Sequence, residues 1–441
     1  MSVLNILKNQ WSLYLILILW MVLSSFFTPF SFLLLPFIFL LIQSERYSEV
    51  LITLFFTLIL SDSLEESLAW AKSFKAILVI FTGLVYLLKI KIFEHRNPII
   101  KYFLPFLIIA VICLAYSPVL VTSIQKTLSY FIILLIVPAF VLQAYAKDGI
   151  VVVKELVLFS MLIIVAGFLY KYINFELAVS VEHGGRLRGI FGNPNGLGLY
   201  LIVTAVLVVA IRGVSPGCIS NKEYYLIVAI IVFIAIASGS RTSMLSIATL
   251  LLSLRLFKMS IWFGLLGFVV IGVTYEYIFE SAISVGISLG LAENLRLDNI
   301  EEGSGRFIAW DFAWKEIQTS PIIGSGFGYD VNLMQANFNW LSRAGHEGGV
   351  HNTYLIIWLN TGVIGLILFL RALILLTIQA SKRTYVALPI LLAVMISIMF
   401  EPWLAASLNP YTSMFLVALT IMVSPIFFSK DEEPEVEEVI D

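Results

Sequence analysis

Residues 194–212 read Pro-Asn-Gly-Leu-Gly-Leu-Tyr-Leu-Ile-Val-Thr-Ala-Val-Leu-Val-Val-Ala-Ile-Arg, and no charged side chain lies between Arg188 and Arg212. An uncharged apolar run of this length suits a helix crossing about 30 Å of hydrocarbon, because each residue adds about 1.5 Å. Asn193 and Pro194 before it are good helix starters, since Asn caps free amides and Pro suits the first turn. The stretch therefore reads as a membrane span, and the fold follows from how often it recurs.

Comparable apolar stretches lie at about 12–27, 30–44, 49–62, 72–90, 101–117, 124–145, 150–172, 223–238, 241–257, 260–279, 351–379, 384–400 and 411–428. With 195–212 that makes about fourteen; the second and third are short, so twelve to fourteen transmembrane helices are expected. Across the 441 residues, 60% are hydrophobic and 13% charged, with a mean hydropathy of +0.98. A soluble domain carries roughly a quarter charged residues. The expectation is an all-α integral membrane protein, a polytopic bundle, and not a soluble enzyme, a nucleic-acid binder or a secreted disulfide scaffold. The first apolar run follows a segment with one Lys and no small-residue cleavage pattern, so it reads as a retained span. Cys113 and Cys218 give no disulfide framework or metal-ligand spacing.

Net charge is −2, so the placement of charge is more informative than its sum. With the N-terminus inside, the short loops holding Lys89, Lys91, Arg96 and Lys101, then Lys147, Arg212 and Lys222, Arg255 and Lys258, and Lys382 and Arg383 all fall on the cytoplasmic side. The same parity puts 173–194, 280–350, the turn at Gly239 to Arg241 and the turn 401–410 outside. The expected organisation is an N-terminal bundle at 1–279, a large outer loop at 280–350, C-terminal transmembrane helices at 351–429 and an acidic cytoplasmic tail at 430–441. Within the loop, Phe307, Trp310, Trp314 and Ile317 space as an amphipathic helix ending before Pro321 and Gly324. Its aromatic stripe is expected to dip into the headgroup layer. Gly324, Gly326 and Gly328 lack the strand and the Lys-Ser or Lys-Thr of a phosphate loop and read as turns.

Few ionisable residues lie within the spans: Glu155 and Arg371 toward the inside, Lys171 and Glu276 toward the outside. A proton- or ion-coupled transporter needs charge near mid-depth. Four elements instead converge on the outer face by parity: Gly184-Gly185-Arg186-Leu187-Arg188-Gly189 running into Phe191-Gly192-Asn193-Pro194-Asn195-Gly196; Ser238-Gly239-Ser240-Arg241; Arg306; and His351-Asn352. Singly, an interfacial Arg often only reaches to headgroups, and Asn193 and Asn195 serve as helix starters. Together, several guanidiniums beside one imidazole suit the transfer of a group carried on a lipid pyrophosphate. Arg binds phosphate oxygens in pairs and stays charged, it stabilises the charge that develops on the leaving group, and His takes a proton from an attacking hydroxyl. His351 is preferred as base because it is expected on a helix, where packing fixes it; His346 is the runner-up, His183 also lies outside, and His95 falls on the wrong side. The outer acids Asp298, Glu301, Glu302, Asp311, Asp330 and Glu347 form no metal-binding pattern, so no metal and no cofactor is expected.

The stretches GGRLRGIFGNPNGLG (184–198), SGSRTSML (238–245), GSGRFIAWDFAWKEIQTSPIIGSGFG (303–328) and HNTYLIIWLNTGVIGL (351–366) resemble the O-antigen ligase and O-antigen polymerase superfamily of bacterial multi-pass glycosyltransferases. The resemblance implies a GT-C-like fold in the inner membrane with the long loop and the site in the periplasm. It also implies an undecaprenyl-pyrophosphate-linked glycan donor and metal-independent chemistry. It places the base on His351, with Arg241, Arg306 and either Arg186 or Arg188 on the donor pyrophosphate, alongside Asn193, Asn195 and Asn352. The acceptor, a lipid A core in a ligase or another glycan in a polymerase, stays open, with the ligase preferred. Membrane lipids are the remaining partner, and no nucleic acid is expected. A lipid-linked glycan transporter and an envelope scaffold are the competing classes.

Overall fold

The computed structural model describes residues 3–89, 97–181, 184–273, 305–346 and 348–428. His95, His183, Glu276, Asp298, Glu301, Glu302, Gly303, Ser304, Glu347 and the acidic tail lie outside them.

Each apolar stretch read from the sequence coincides with a helix. In chain order these are α1 (Val3–Phe26), α2 (Leu34–Gln43), α3 (Tyr47–Leu60), α4 (Trp70–Leu88), α5 (Ile100–Ile112), α6 (Leu120–Asp148) and α7 (Val151–Tyr170). A short helix α8 (Phe175–Ala178) and a two-residue hairpin, β1 (Val179–Ser180) against β2 (Arg186–Leu187), lead into α9 (Pro194–Val214), α10 (Asn221–Ser238), α11 (Arg241–Met259) and α12 (Ile261–Val273). The loop holds α13 (Arg306–Ile317), α14 (Tyr329–Ala336) and α15 (Phe338–Arg343); the chain closes with α16 (Thr353–Ser381), α17 (Ala387–Phe400) and α18 (Pro410–Val423). Seven helices among the described residues are long and apolar enough to cross a membrane: α4 with the turn before it, α6, α7, α9, α10, α11 and α16. The protein is an all-α membrane protein with several spans.

The centre of the bundle is α9, whose most apolar window is 89% buried, against 22% for peripheral α10. It lies along α18, every residue of which is buried. The starts are locally encoded. Asn193 caps α9 by accepting from Gly196 N at 2.8 Å, Asn352 caps α16 through Leu355 N at 3.0 Å, and Asn409 caps α18 through Thr412 N at 2.8 Å. The tight turn between α10 and α11 is made by Gly239, left-handed at φ 57°.

The loop is locked to the bundle at a break in α16. Gly362 adopts φ 68°, ψ 179°, which interrupts the helix and removes the ladder bonds that Val363 and Ile364 would donate to Leu359 and Asn360. Segment 321–326 replaces both. Val363 N donates to Pro321 O at 2.9 Å and Ile364 N to Ile322 O at 3.5 Å, while Leu359 O accepts from Ser325 N at 3.0 Å and Asn360 O from Gly326 N at 2.9 Å. These four backbone groups are thereby satisfied. Asp330 seals the junction: its Oδ1 accepts from Asn360 Nδ2 at 2.7 Å and from Lys126 Nζ of α6 at 3.0 Å. Gly324, Gly326 and Gly328 do act as turns, all at positive φ.

The aromatic stripe of α13 does not form one membrane-facing side. Ile317 is 1% exposed and Trp310 half-buried, whereas Phe307 is 60% and Trp314 43% exposed. The buried face is Ala309, Ala313 and Ile317, spaced by four; its two alanines let α13 approach α16 closely.

Gly362→Ala is expected to cost about 3 kcal/mol or more, since a Cβ there combines a left-handed backbone with overlap onto the Ile322 carbonyl. Thermal unfolding of the detergent-solubilised protein reads this. Gly217→Ala, at a glycine with open space and ordinary φ, should leave the midpoint unchanged.

Candidate active site

Two groups of residues lie at the end of the bundle that carries the loop. The first is built around Glu401, the residue that ends α17, 5% exposed and in extended conformation. Its Oε1 accepts from Arg306 Nη2 at 2.6 Å, its Oε2 lies 3.7 Å from His351 Nδ1, and its backbone carbonyl accepts from Thr353 Oγ1 at 2.9 Å. One buried carboxylate therefore brackets a guanidinium and an imidazole.

His351 is not on a helix. Asn352 takes the cap of α16, which leaves His351 before it at φ 51°, one of two non-glycine residues at positive φ among the described residues. Such a backbone is tolerated by His better than by most residues and carries strain of order 1 kcal/mol. What fixes the ring is therefore Glu401 on the Nδ1 side and Gly348 on the other, where a Cβ would stand 2.9 Å from Nε2. Its Nδ1 has no hydrogen-bond partner within range, and 30% of the side chain is exposed. His346, by contrast, is 3% exposed, has its Nε2 3.0 Å from the Gly349 carbonyl and stacks edge-on to His351. Burial, aided by the charges of His351 and Arg306, holds its pKa below the ordinary histidine value.

The second group surrounds the start of α9. Arg186, 6% exposed, donates from Nε to Ser238 O at 2.7 Å and from Nη2 to Asn195 Oδ1 at 3.0 Å, so it ties the α9 start to the α10–α11 turn. Arg188 turns the other way: Nε donates to Leu177 O at 2.7 Å and Nη2 to Glu176 O at 3.1 Å, closing the α8 turn. Arg241 opens α11, partly exposed. Asn193 is committed to its cap, and so is Asn352.

On another flank of the α9 start lies Asp62, two residues beyond α3. Its Oδ2 accepts from Tyr411 Oη at 2.8 Å, and the Gly192 amide also bonds the carboxylate. Burial pushes this carboxyl up from the ordinary aspartate value, opposed by those two bonds and by Lys75 and Lys72 of α4. The glycines of the Phe-Gly-Asn-Pro-Asn-Gly stretch are explained here. A Cβ on Gly192 would sit 2.5 Å from Asp62 O, and one on Gly196 2.9 Å from Tyr411 Oη. Tyr411 also lies within the field of Glu401, so it links the two groups. Among the described residues, no three His, Cys, Asp or Glu side chains gather as a metal-binding group.

A family model described as O-Antigen ligase matches residues 226–370. Over this stretch, about a third of the chain, it is similar to the O-antigen ligases. No curated protein matches the chain. The O-antigen ligase match takes in Arg241, Arg306, His351 and Asn352, and stops short of Arg186 and Arg188 on one side and Glu401 on the other.

Glu401, Asp62 and Tyr411 are the residues that sequence reading missed. Their signal was present: residues 401–410 and the turn after the third span fall, by parity, on the same side as His351, and each holds a carboxylate close to the end of a span.

Arg306→Gln is expected to destabilise the solubilised protein by about 3 kcal/mol, because Glu401 loses the partner that offsets its burial. Combining it with Glu401→Gln should recover at least about 1 kcal/mol of the summed losses in a double-mutant cycle. Strict additivity of the unfolding free energies would show that the pair does not couple.

Proposed function

We propose that the chain is a membrane glycosyltransferase that moves a glycan from an undecaprenyl-pyrophosphate-linked donor to an acceptor hydroxyl. His351 is the general base, Glu401 orients it, and Arg186, Arg241 and Arg306 hold the donor pyrophosphate. The observation that carries this reading is the carboxylate of Glu401 set between His351 and Arg306, inside a bundle that is similar to the O-antigen ligases over residues 226–370. In this reading twelve to fourteen helices cross the inner membrane in a GT-C-like arrangement, the site faces the periplasm, and the ligase reaction, with a lipid A core acceptor, comes before polymerisation.

With Nδ1 turned to Glu401, the imidazole keeps Nε2 for the acceptor proton. The acceptor oxygen then bonds the anomeric carbon as the carbon–oxygen bond to pyrophosphate breaks, its electron pair leaving with the phosphate. The imidazolium formed is stabilised by the buried carboxylate, and an ion pair at about 4 Å is worth roughly 4 kcal/mol at an effective dielectric of 20. The arginines meet the charge that grows on the leaving group. The bond from Nη2 to Glu401 leaves Arg306 its other N–H donors for phosphate oxygens. No carboxylate acts as nucleophile, so the anomeric centre inverts; Asn193 and Asn352 support the site as caps, and Arg188 supports it by holding the α8 turn.

His351→Asn is the decisive variant, because Asn tolerates the left-handed backbone. Transfer is expected to fall at least about a hundredfold with the protein still inserted and folded, and Glu401→Gln should lower it by a smaller factor. Complementing a deletion strain and probing both lipid A-linked and undecaprenyl-linked glycan separates the reactions. Polymer stranded on undecaprenyl with bare lipid A core indicates a ligase, and single repeat units indicate a polymerase. A wild-type ladder from folded His351→Asn protein removes His351 from the role of base.

A further inference from the structure

Lys75 is a cation that the reactions above do not use. It lies about 8 Å into α4, on the second turn. A lysine near the end of a span ordinarily runs along the lipid face to reach headgroups, as exposed Lys72 one turn earlier is placed to do. Lys75 lies about 60° round the helix from Lys72, toward the packed side. Residues four apart share a helix side, and its neighbours Ala71 and Val79 are 0% and 1% exposed, with Leu78 at 1%. The half-buried Lys75 side chain thus leaves the helix on the side that packs into the bundle.

Its field acts on Asp62, yet among the described residues no carboxylate lies within ion-pair distance of it and no hydrogen bond reaches it. Asp62 is engaged instead by Tyr411 and the Gly192 amide, at the capped start of α9. An ionisable side chain facing the interior of a membrane bundle marks a ligand or ion site by default, and a lysine meets phosphate as a point charge. The helix start beside it favours an anion in the same place.

We propose that Lys75 is a substrate-facing cation of the site, meeting a phosphoryl oxygen of the polyprenyl-pyrophosphate donor from the Asp62 flank of α9. The assignment rests on the glycosyl-transfer reading given above. The same chemistry is offered by a bilayer phospholipid, and the test separates the two.

Full-length protein in phosphatidylcholine nanodiscs is titrated with farnesyl pyrophosphate. Lys75→Gln should weaken binding about tenfold, the worth of one charge-assisted hydrogen bond, while Lys75→Arg stays within about threefold of wild type. Asp62→Asn removes a negative charge beside the ligand and should bind at least as tightly as wild type. Lys75→Gln binding normally while Arg241→Gln is weakened overturns the Lys75 assignment and leaves the site reading standing; both binding normally overturns the site reading as well. If Lys75→Gln instead abolishes only a gain in thermal stability on adding phosphatidylglycerol, the cation serves a bilayer lipid and the donor assignment fails. Should Lys75→Gln fail to insert, the Asp62→Asn/Lys75→Gln pair, neutral at both positions, takes its place, with the same weakening expected.

Discussion

The exchange of backbone hydrogen bonds at Gly362 is the constraint on which the site depends. A helix in lipid cannot break without finding partners for the groups it frees, and here the partners come from the loop. Two donors of α16 pass to Pro321 and Ile322, and two acceptors are filled by Ser325 and Gly326. The loop is therefore a fixed part of the bundle along this segment. It carries Arg306 at the start of α13 on one side of the break and leads to His351 at the start of α16 on the other. Glu401 brackets the two with the loop between them pinned at residues 321–326.

Glu401 is expensive to bury alone, and its two partners explain why it is there. The pair with Arg306 offsets much of its desolvation, and its backbone carbonyl is bonded by Thr353. The second oxygen faces an imidazole at a distance longer than a hydrogen bond, on a side chain that is part exposed and on a strained backbone. Strain of that kind persists where the surroundings over-determine a residue, and it is found at functional positions. His346, buried and bonded to its own loop, shows what a structural histidine looks like five residues away.

The helices were legible because apolar length is a strong signal and lipid permits little else. The site was legible only in its composition. His351-Asn352-Thr353 reads as a helix start, but local pattern does not say which residue takes the cap; Asn352 does, and His351 is left outside the helix. Arg186 and Arg188 look equivalent in extended chain, where residues two apart share a side. In the structure the two guanidiniums part, one to the α10–α11 turn and one back to α8. Glu401 and Asp62 escaped because their meaning lies in partners 95 and 349 positions away.

Two buried acids among the cations at this end of the bundle need a physical reason, and the helix starts supply it. α9 and α16 begin at this end, each with an Asn cap that satisfies one amide and leaves the positive end of the helix dipole in place. Asp62 bonds the Gly192 amide just ahead of α9, and the carbonyl of Glu401 receives the Thr353 hydroxyl at the first residue of α16. Together with Arg306 and Lys75, these ends would leave a concentrated positive potential in a poorly solvated place. A carboxylate at each helix start holds that potential in check and keeps the cations ordered. In the proposed reaction an arriving pyrophosphate would meet positive groups whose positions are already set, so its binding energy would go into the transfer and little of it into ordering side chains.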